Sequence, residues 1–184
     1  VSANEVVLLD DDALGGIADG TGDDVDAANA SGTLGHTFGV DGGEIAYLST
    51  GAPAGFTYQA SGDDLLIKQG AVTVLTVTLV PETGAYTVTQ NAAIVHADAL
   101  DENNQEFTIN YRVTDGDNDT QDGTLSINVD DDTPLATDDG LLGTVSENTS
   151  NYDLGALSLL LDDDSYGADG AAGSGINIAA GDKG

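Results

Sequence analysis

Two segments near the middle of the chain alternate apolar and polar side chains with a period of two. Residues 107–114 place Phe, Ile, Tyr and Val on one face and Thr, Asn and Arg on the other, and residues 123–129 repeat the alternation with Leu, Ile and Val. This pattern is typical of β-strands that are buried on one face. The polar, glycine-containing residues 115–122 separate the two segments. We therefore predict a β-hairpin here.

A second hairpin is predicted over residues 71–90. Residues 71–80 are rich in Val, Leu and Thr, and residues 85–90 alternate Tyr and Val with Thr. Pro81 suits an early position of a type I turn, and Gly84 suits the left-handed residue that closes it. Weaker strand patterns cover residues 5–9, 33–40, 44–49, 56–60 and 65–69. Short strands between glycine-rich turns predict an all-β fold, an Ig-like or cadherin-like β-sandwich of antiparallel hairpins with little helix.

The charge of the chain excludes several classes of partner. Acidic residues outnumber Lys and Arg by 33 to 3, which gives a formal net charge of −30. So few cations cannot neutralise phosphates, which excludes nucleic acids and anionic membrane surfaces. No apolar run reaches the roughly 20 residues that cross a bilayer, so we expect no membrane insertion. The chain has no Cys, which excludes disulfides and Cys-based zinc sites.

The position of the acidic residues carries more information than their number. Asp outnumbers Glu by 27 to 6, and the Asp residues cluster beside Gly and Asn at the ends of apolar runs. Short carboxylates in turns indicate either ordinary turn chemistry or cages for hard cations. Both interpretations agree with a protein made of strands and loops.

An acidic segment that ends in a proline marks a module boundary. Residues 130–132 are all Asp, and Pro134, which cannot donate to a strand ladder, follows them. Beyond this point, the Leu-Leu-Asp-Asp-Asp of residues 8–12 recurs at residues 160–164. Chance recurrence in a Gly- and Asp-rich chain is the alternative explanation. We expect a β-sandwich over residues 1–134 and, over residues 135–184, the start of a following module or an extension that packs on the first.

Five motifs together are distinctive. They are SANEVVLLDDDALGG at residues 2–16, SGTLGHTFGVDG at 31–42, TVTLVPETGAYTV at 76–88, YRVTDGDNDT at 111–120 and VDDDTP at 129–134. These motifs resemble the tandem β-sandwich repeats of giant RTX adhesins, the type I secretion targets of Gram-negative bacteria. Residues 145–148 and 160–170 resemble cadherin-like modules of the same adhesins more loosely. The Gly-Gly-x-Gly-x-Asp nonapeptide of RTX blocks is absent, so the resemblance assigns this segment to a region outside that block.

The resemblance implies a segment of a bacterial cell-surface adhesin that acts outside the cell in adhesion and biofilm formation. Such proteins are exported unfolded and calcium-free, fold when they meet calcium, and form long stalks that carry ligand-binding domains. The implied partners are neighbouring repeats of the same chain and, for a ligand-binding module, an extracellular glycan or peptide. We expect a monomer.

The aspartates in turns are the candidate Ca²⁺ ligands, because Ca²⁺ takes six to eight hard oxygen ligands at about 2.3–2.6 Å. In the loop of the first hairpin they are Asp115, Asp117 and Asp119. The N-terminal triplet is Asp10, Asp11 and Asp12, with Asp19 nearby, and its recurrence is Asp162, Asp163 and Asp164. The C-terminal triplet is Asp130, Asp131 and Asp132, which Asp138 and Asp139 could face across the junction.

Each group also has an interpretation without metal. The hairpin loop is not an EF-hand, because the sixth and twelfth positions from Asp115 are Thr120 and Ser126 rather than Gly and Glu. It could be a solvated hairpin tip. The C-terminal triplet could be an acidic flexible hinge, since charged linkers repel themselves and extend. The N-terminal triplet and its recurrence could lie in mobile, solvated loops.

Catalytic patterns are weak in this sequence. A glycosidase needs two carboxylates at a fixed separation in a cleft lined by aromatic side chains, and the chain has only three Phe and six Tyr. His36 lies in a strand-like run and His96 in an irregular one, and no nucleophile-elbow sequence is present. We expect no enzymatic activity.

Three functions are consistent with these observations. The first is a calcium-binding extender module of a large secreted adhesin, in which each Ca²⁺ offsets two negative charges and cross-links loops. The second is a ligand-binding module of the same adhesin, in which Ca²⁺ takes its last ligands from a sugar or a peptide. The third is an acidic halophilic domain that binds no specific ion and is stabilised by monovalent salt.

Overall fold

Nine strands and one short 3-10 helix make up the part of the chain that the computed structural model describes, which is residues 3–17, 27–97, 103–134 and 168. In chain order they are β1 (Val7–Asp10), the 3-10 helix η1 (Asp11–Leu14), β2 (Asn29–Thr33), β3 (Gly43–Leu48), β4 (Phe56–Ser61), β5 (Asp64–Gln69), β6 (Val72–Val80), β7 (Ala85–Gln90), β8 (Gln105–Asp115) and β9 (Thr120–Asp130). Within these ranges no helix combines the length and apolar character needed to cross a bilayer.

The strands form two sheets that pack as a sandwich. One sheet has the order β1-β9-β8-β3 and the other the order β2-β7-β6-β5-β4. The rings of Phe56 and Phe107 meet edge to face across the two sheets, with 4.9 Å between their centroids. The Tyr58 hydroxyl, on the same strand as Phe56, donates to the Thr108 carbonyl at 3.2 Å. The all-β sandwich predicted from the sequence is confirmed.

Both predicted hairpins are present. In the β6–β7 turn Gly84 has φ +68° and donates its N–H to the Val80 carbonyl at 2.8 Å, which is the left-handed closure expected of this residue. The β8–β9 hairpin is longer than predicted, because β9 begins at Thr120 and pairs up to the loop at residues 116–119. Arg112 on β8 forms a bidentate ion pair with Asp122 on β9, at 2.7 and 2.9 Å.

The strand predicted over residues 33–40 is wrong. The strand in this region is β2, Asn29–Thr33, which pairs with β7 and places Thr33 opposite Ala85. Ala85 is the first residue of β7, and the residues before it form the β6–β7 turn, so β7 offers no strand partner beyond Thr33. Leu34 makes one more hydrogen bond, from its N–H to the Gly84 carbonyl at 2.8 Å. The ladder therefore cannot extend to residue 40, although the local composition favours a strand.

Candidate metal centre

The two acidic triplets lie side by side at one end of the sandwich. They begin at the last residues of β1 and β9, which pair in parallel in a register that places Leu9 opposite Val129 and Asp10 opposite Asp130. Because parallel strands run in the same direction, the residues that follow each strand emerge at the same edge. The fold therefore brings together six carboxylates from opposite ends of the predicted module. We refer to these six residues, the N-terminal and C-terminal triplets, as the centre.

Helix η1 turns Asp11 into the protein interior. The Asp10 carboxylate caps the helix by accepting the Asp12 N–H at 2.8 Å, and Gly15, with φ +99°, ends it. The single turn directs the Asp11 side chain under β7, where one carboxylate oxygen accepts the Gln90 side-chain amide and the other accepts the Ile94 N–H at 2.8 Å. Asp11 is fully buried as a result.

Burial extends to other members of the triplets. Asp10 is 4% exposed and Asp132 is 6% exposed. Of the basic residues in the described ranges, Arg112 pairs with Asp122, and Lys68 lies on β5 of the other sheet, next to Gln69. Removing a carboxylate from water costs several kcal/mol unless a counter-charge or hydrogen bonds compensate for it. Hydrogen bonds to Asp11 and Asp132 provide part of this compensation, and a bound cation at this end of the sandwich would add a counter-charge.

Asp132 is the most informative residue of the C-terminal triplet. Its Oδ2 accepts the backbone N–H groups of Ile17 at 3.2 Å and of Ala168 at 2.6 Å. Its Oδ1 is buried and has no hydrogen-bond partner among the described residues. A buried carboxylate oxygen without a partner is costly, and a cation would satisfy it.

Gly16 makes room for this arrangement. A Cβ atom at this position would lie 2.4 Å from Asp132 Oδ2 and 3.0 Å from Asp12 Oδ1. Carboxylates of both triplets therefore converge on the backbone just after η1. Only a residue without a side chain allows that approach.

Amide side chains border the centre near Asp130. Its Oδ1 accepts from the side chain of Asn104 and, at 3.4 Å, from that of Asn128. The carbonyl oxygen of the Asn128 side chain is buried and has no hydrogen-bond partner within the described ranges. Amide carbonyls are common Ca²⁺ ligands, so this oxygen adds to the donor set of the region.

His96 joins the centre, although sequence analysis did not select it. Its Nε2 lies 3.5 Å from Asp11 Oδ2, and ligand atoms of Asp11, His96 and Asp131 all lie within 4.8 Å of one another. The segment that carries His96 leaves β7 and is held by the buried side chain of Ile94 and by hydrogen bonds between Gln69 and Val95, at 2.6 and 2.9 Å. No local pattern marks this histidine, because the contacts that position it are long-range.

The aspartates of the β8–β9 loop have a different environment. Asp115 Oδ1 accepts the N–H groups of Asp117 at 3.1 Å and of Asp119 at 2.9 Å. Asn118 takes the left-handed conformation, with φ +67°. Asp117 and Asp119 are exposed. These hydrogen bonds account for the loop conformation as an Asx-type turn, and the metal site predicted here stays a prediction.

One family model matches the chain. It describes a domain of unknown function, DUF5801, and covers residues 6–128. The chain belongs to the DUF5801 family. No curated protein and no solved structure matches.

In this DUF5801 domain the matched region includes the N-terminal triplet, His96 and the hairpin loop, and it ends two residues before Asp130. The structure brings the N-terminal and C-terminal triplets together, and separates both from the hairpin loop by the length of β9. The predicted ligands that lie outside the described residues are Asp19, Asp138, Asp139, Asp162, Asp163 and Asp164. Of the predicted unit over residues 135–184, the structure describes Ala168 alone.

Proposed function

We propose that this DUF5801 domain is a calcium-binding extender module of a large secreted bacterial cell-surface adhesin, and that it supports adhesion and biofilm formation. The observation that carries the proposal is the meeting of the two acidic triplets. Their six carboxylates lie at one end of the sandwich, and Asp10, Asp11 and Asp132 are buried. Ca²⁺ fits such a donor set, since it takes six to eight oxygen ligands in flexible geometry.

The path of the chain favours a role as an extender. Asn4 lies beside the middle of β9, where its side chain donates to the Thr124 carbonyl at 2.7 Å. From there β1 runs parallel to β9, and both strands end at the triplets. The described chain therefore passes from the middle of β9 to its end, and continues from β9 beside the N-terminal triplet, where a neighbouring module can be held. Bound Ca²⁺ at the exit would restrict the angle to the next module.

One contact supports a role of this end in linking modules. The Ala168 N–H donates to Asp132 Oδ2, so a residue from beyond the predicted boundary contacts the C-terminal triplet. A cation held there would connect β1, β9 and Ala168. The resemblance of the sequence to RTX adhesin repeats supports the extracellular setting, where calcium is abundant.

The alternative is a calcium-dependent ligand-binding module of the same adhesin. Asp130 and Asp131 are partly exposed, whereas Asp10, Asp11 and Asp132 are buried. A Ca²⁺ ion on the exposed side of the centre could accept its last ligands from sugar hydroxyls or from a peptide carboxylate, both of which are hard oxygen donors. A glycan and peptide array probed with and without calcium separates this function from that of an extender.

Thermal unfolding tests the calcium proposal. With free Ca²⁺ about 1,000-fold above its dissociation constant, binding adds about 4 kcal/mol to the free energy of unfolding. For a chain of this size that corresponds to a rise in melting temperature of about 8–16 °C. Excess EDTA should remove this increment at constant ionic strength. An equal melting temperature with calcium and EDTA, together with stabilisation by molar NaCl, would favour the halophilic alternative.

A further inference from the structure

We propose that Asp11, His96 and Asp131 form a separate site for a first-row transition-metal dication, with Zn²⁺ as its representative. Asp11 and Asp131 are two of the six carboxylates of the calcium proposal, so a metal at this site leaves Asp10, Asp12, Asp130 and Asp132 to Ca²⁺. This inference rests on the geometry around His96 and does not depend on the proposed calcium function. It concerns a histidine that the calcium proposal does not use.

The separation of His96 from Asp11 is longer than a charge-assisted hydrogen bond and matches that of two ligands of one metal ion. A charge-assisted hydrogen bond between nitrogen and a carboxylate is about 2.7–2.9 Å long, whereas His96 Nε2 and Asp11 Oδ2 are 3.5 Å apart. Two ligands bound at about 2.0–2.2 Å to a tetrahedral Zn²⁺ lie roughly 3.4 Å from each other. The ligand atom of Asp131 completes a group in which all separations are within 4.8 Å.

The donor chemistry selects the class of metal. Ca²⁺ and Mg²⁺ take oxygen ligands, while imidazole nitrogen suits Zn²⁺ and its neighbours in the first transition row. Imidazole nitrogen and carboxylate oxygen are both ligands of Zn²⁺ in proteins. The His96 side chain is 2% exposed and Asp11 is fully buried, so a metal bound here would be shielded from competing water ligands on that side.

A buried amide provides an independent indication of a ligand. Gln90 is 4% exposed, and its side-chain nitrogen donates to Asp11 Oδ1. The carbonyl oxygen of the same amide is buried without a hydrogen-bond partner among the described residues. This oxygen belongs to the amide that contacts Asp11, so it lies beside the proposed ligands and can accept from a metal-bound water there. The N–H groups of Gln90 and Ile94 also fix the orientation of the Asp11 carboxylate, as outer-shell partners of metal ligands do.

Zinc titration of the calcium-saturated protein tests the site. We expect one Zn²⁺ per chain in isothermal titration calorimetry, and at least 100-fold weaker binding for His96→Ala. His36→Ala is the matched control, because His36 is the only other histidine of the chain and contacts the Leu34 carbonyl beside the opposite end of β7. Its zinc affinity should equal that of the wild type. Equal affinities for His96→Ala and the wild type, or equal losses in both histidine variants, would overturn the proposal.

A measurement on the unaltered chain covers the case in which His96→Ala fails to fold. Zn²⁺ should shift the imidazole ¹⁵N resonances of His96 in NMR spectra and leave those of His36 unchanged. Unshifted His96 resonances at saturating Zn²⁺ would contradict the site. The rise in melting temperature caused by calcium separates the two proposals. If His96→Ala keeps this rise but loses zinc binding, both proposals hold. If the wild type shows no such rise but binds zinc through His96, only the calcium function fails.

Discussion

The two ends of the β8–β9 hairpin carry the same number of aspartates in very different environments. At the loop, Asp115 accepts hydrogen bonds from its own loop backbone, and Asp117 and Asp119 are exposed. At the other end, about 33 Å away for strands of 11 residues, the C-terminal triplet meets the N-terminal triplet, and three of the six carboxylates are buried. Burial and convergence therefore distinguish the candidate cation centre from a solvated acidic turn.

Neutralising one aspartate at each end of the hairpin should separate the two environments most strongly. In saturating calcium, Asp132→Asn should lower the free energy of unfolding by about 2–4 kcal/mol, because a buried ligand charge is lost while its neighbours remain. Asp117→Asn, an equal change in charge at the exposed loop, should lower it by less than about 0.5 kcal/mol. Urea denaturation of both variants measures the difference.

Urea denaturation of the same two variants in EDTA provides the control. Without a cation, removing one of several adjacent negative charges relieves repulsion, so Asp132→Asn should lose most of its penalty. Equal penalties for Asp132→Asn with calcium and with EDTA would mean that the residue acts only through its hydrogen bonds to Ile17 and Ala168.

A smaller effect is expected from Gly16→Ala. The added Cβ would clash with Asp132 Oδ2 and approach both the Cα and the Oδ1 of Asp12, so the Asp132 carboxylate and η1 must shift apart. We expect a loss of about 1–3 kcal/mol in calcium, typical of overpacking, and a smaller loss in EDTA, where the carboxylates are free to move apart. Differential scanning calorimetry in both conditions measures this. A loss that is larger in EDTA would argue against a shared cation at this point.

At the loop, Asn118→Gly tests whether ordinary turn chemistry is sufficient. Asn118 has φ +67°, which glycine adopts without steric cost. The substitution should raise the free energy of unfolding by at most about 1 kcal/mol, because the gain is opposed by the greater freedom of glycine in the unfolded chain. The effect should be the same with calcium and with EDTA in thermal melts. A calcium-dependent difference would indicate a metal site at the loop as well.

The smallest effect concerns the ion pair near the loop. The Arg112 guanidinium hydrogen-bonds Asp122 and lowers the pKa of its carboxyl, and Asp122 raises the pKa of Arg112. A carboxyl with a lowered pKa in the folded state contributes stability above its unfolded pKa, about 3.9, and loses it as the pH falls through the folded value. In Arg112→Gln the Asp122 resonance should titrate at higher pH by NMR. An unchanged titration midpoint would show that the exposed pair has no effect in solution.

How much of this could be predicted from the sequence depends on the range of the interactions involved. Hairpins are set by neighbouring residues, so the alternation in residues 107–129 and the Pro81 to Gly84 turn were sufficient to predict them. The strand predicted over residues 33–40 was wrong, because the end of a partner strand limits β2 and local composition does not encode that limit.

The candidate centre depends on long-range pairing. The two triplets are visible in the sequence, but only the parallel register of β1 and β9 places Asp10 beside Asp130. His96 has no sequence signal at all, since its position depends on the packing of Ile94 and on the burial of Asp11 by η1. The acidic residue types could therefore be predicted, whereas their assembly into a centre required the fold.

A high-resolution structure of crystals grown in millimolar calcium would show whether a cation lies between the two triplets. We predict a spherical density peak between the N-terminal and C-terminal triplets, with six to eight oxygen atoms at about 2.3–2.6 Å and Asp132 Oδ1 among them. Density for water molecules alone between the triplets, at hydrogen-bonding distances of about 2.7–3.0 Å from the carboxylates, would contradict it.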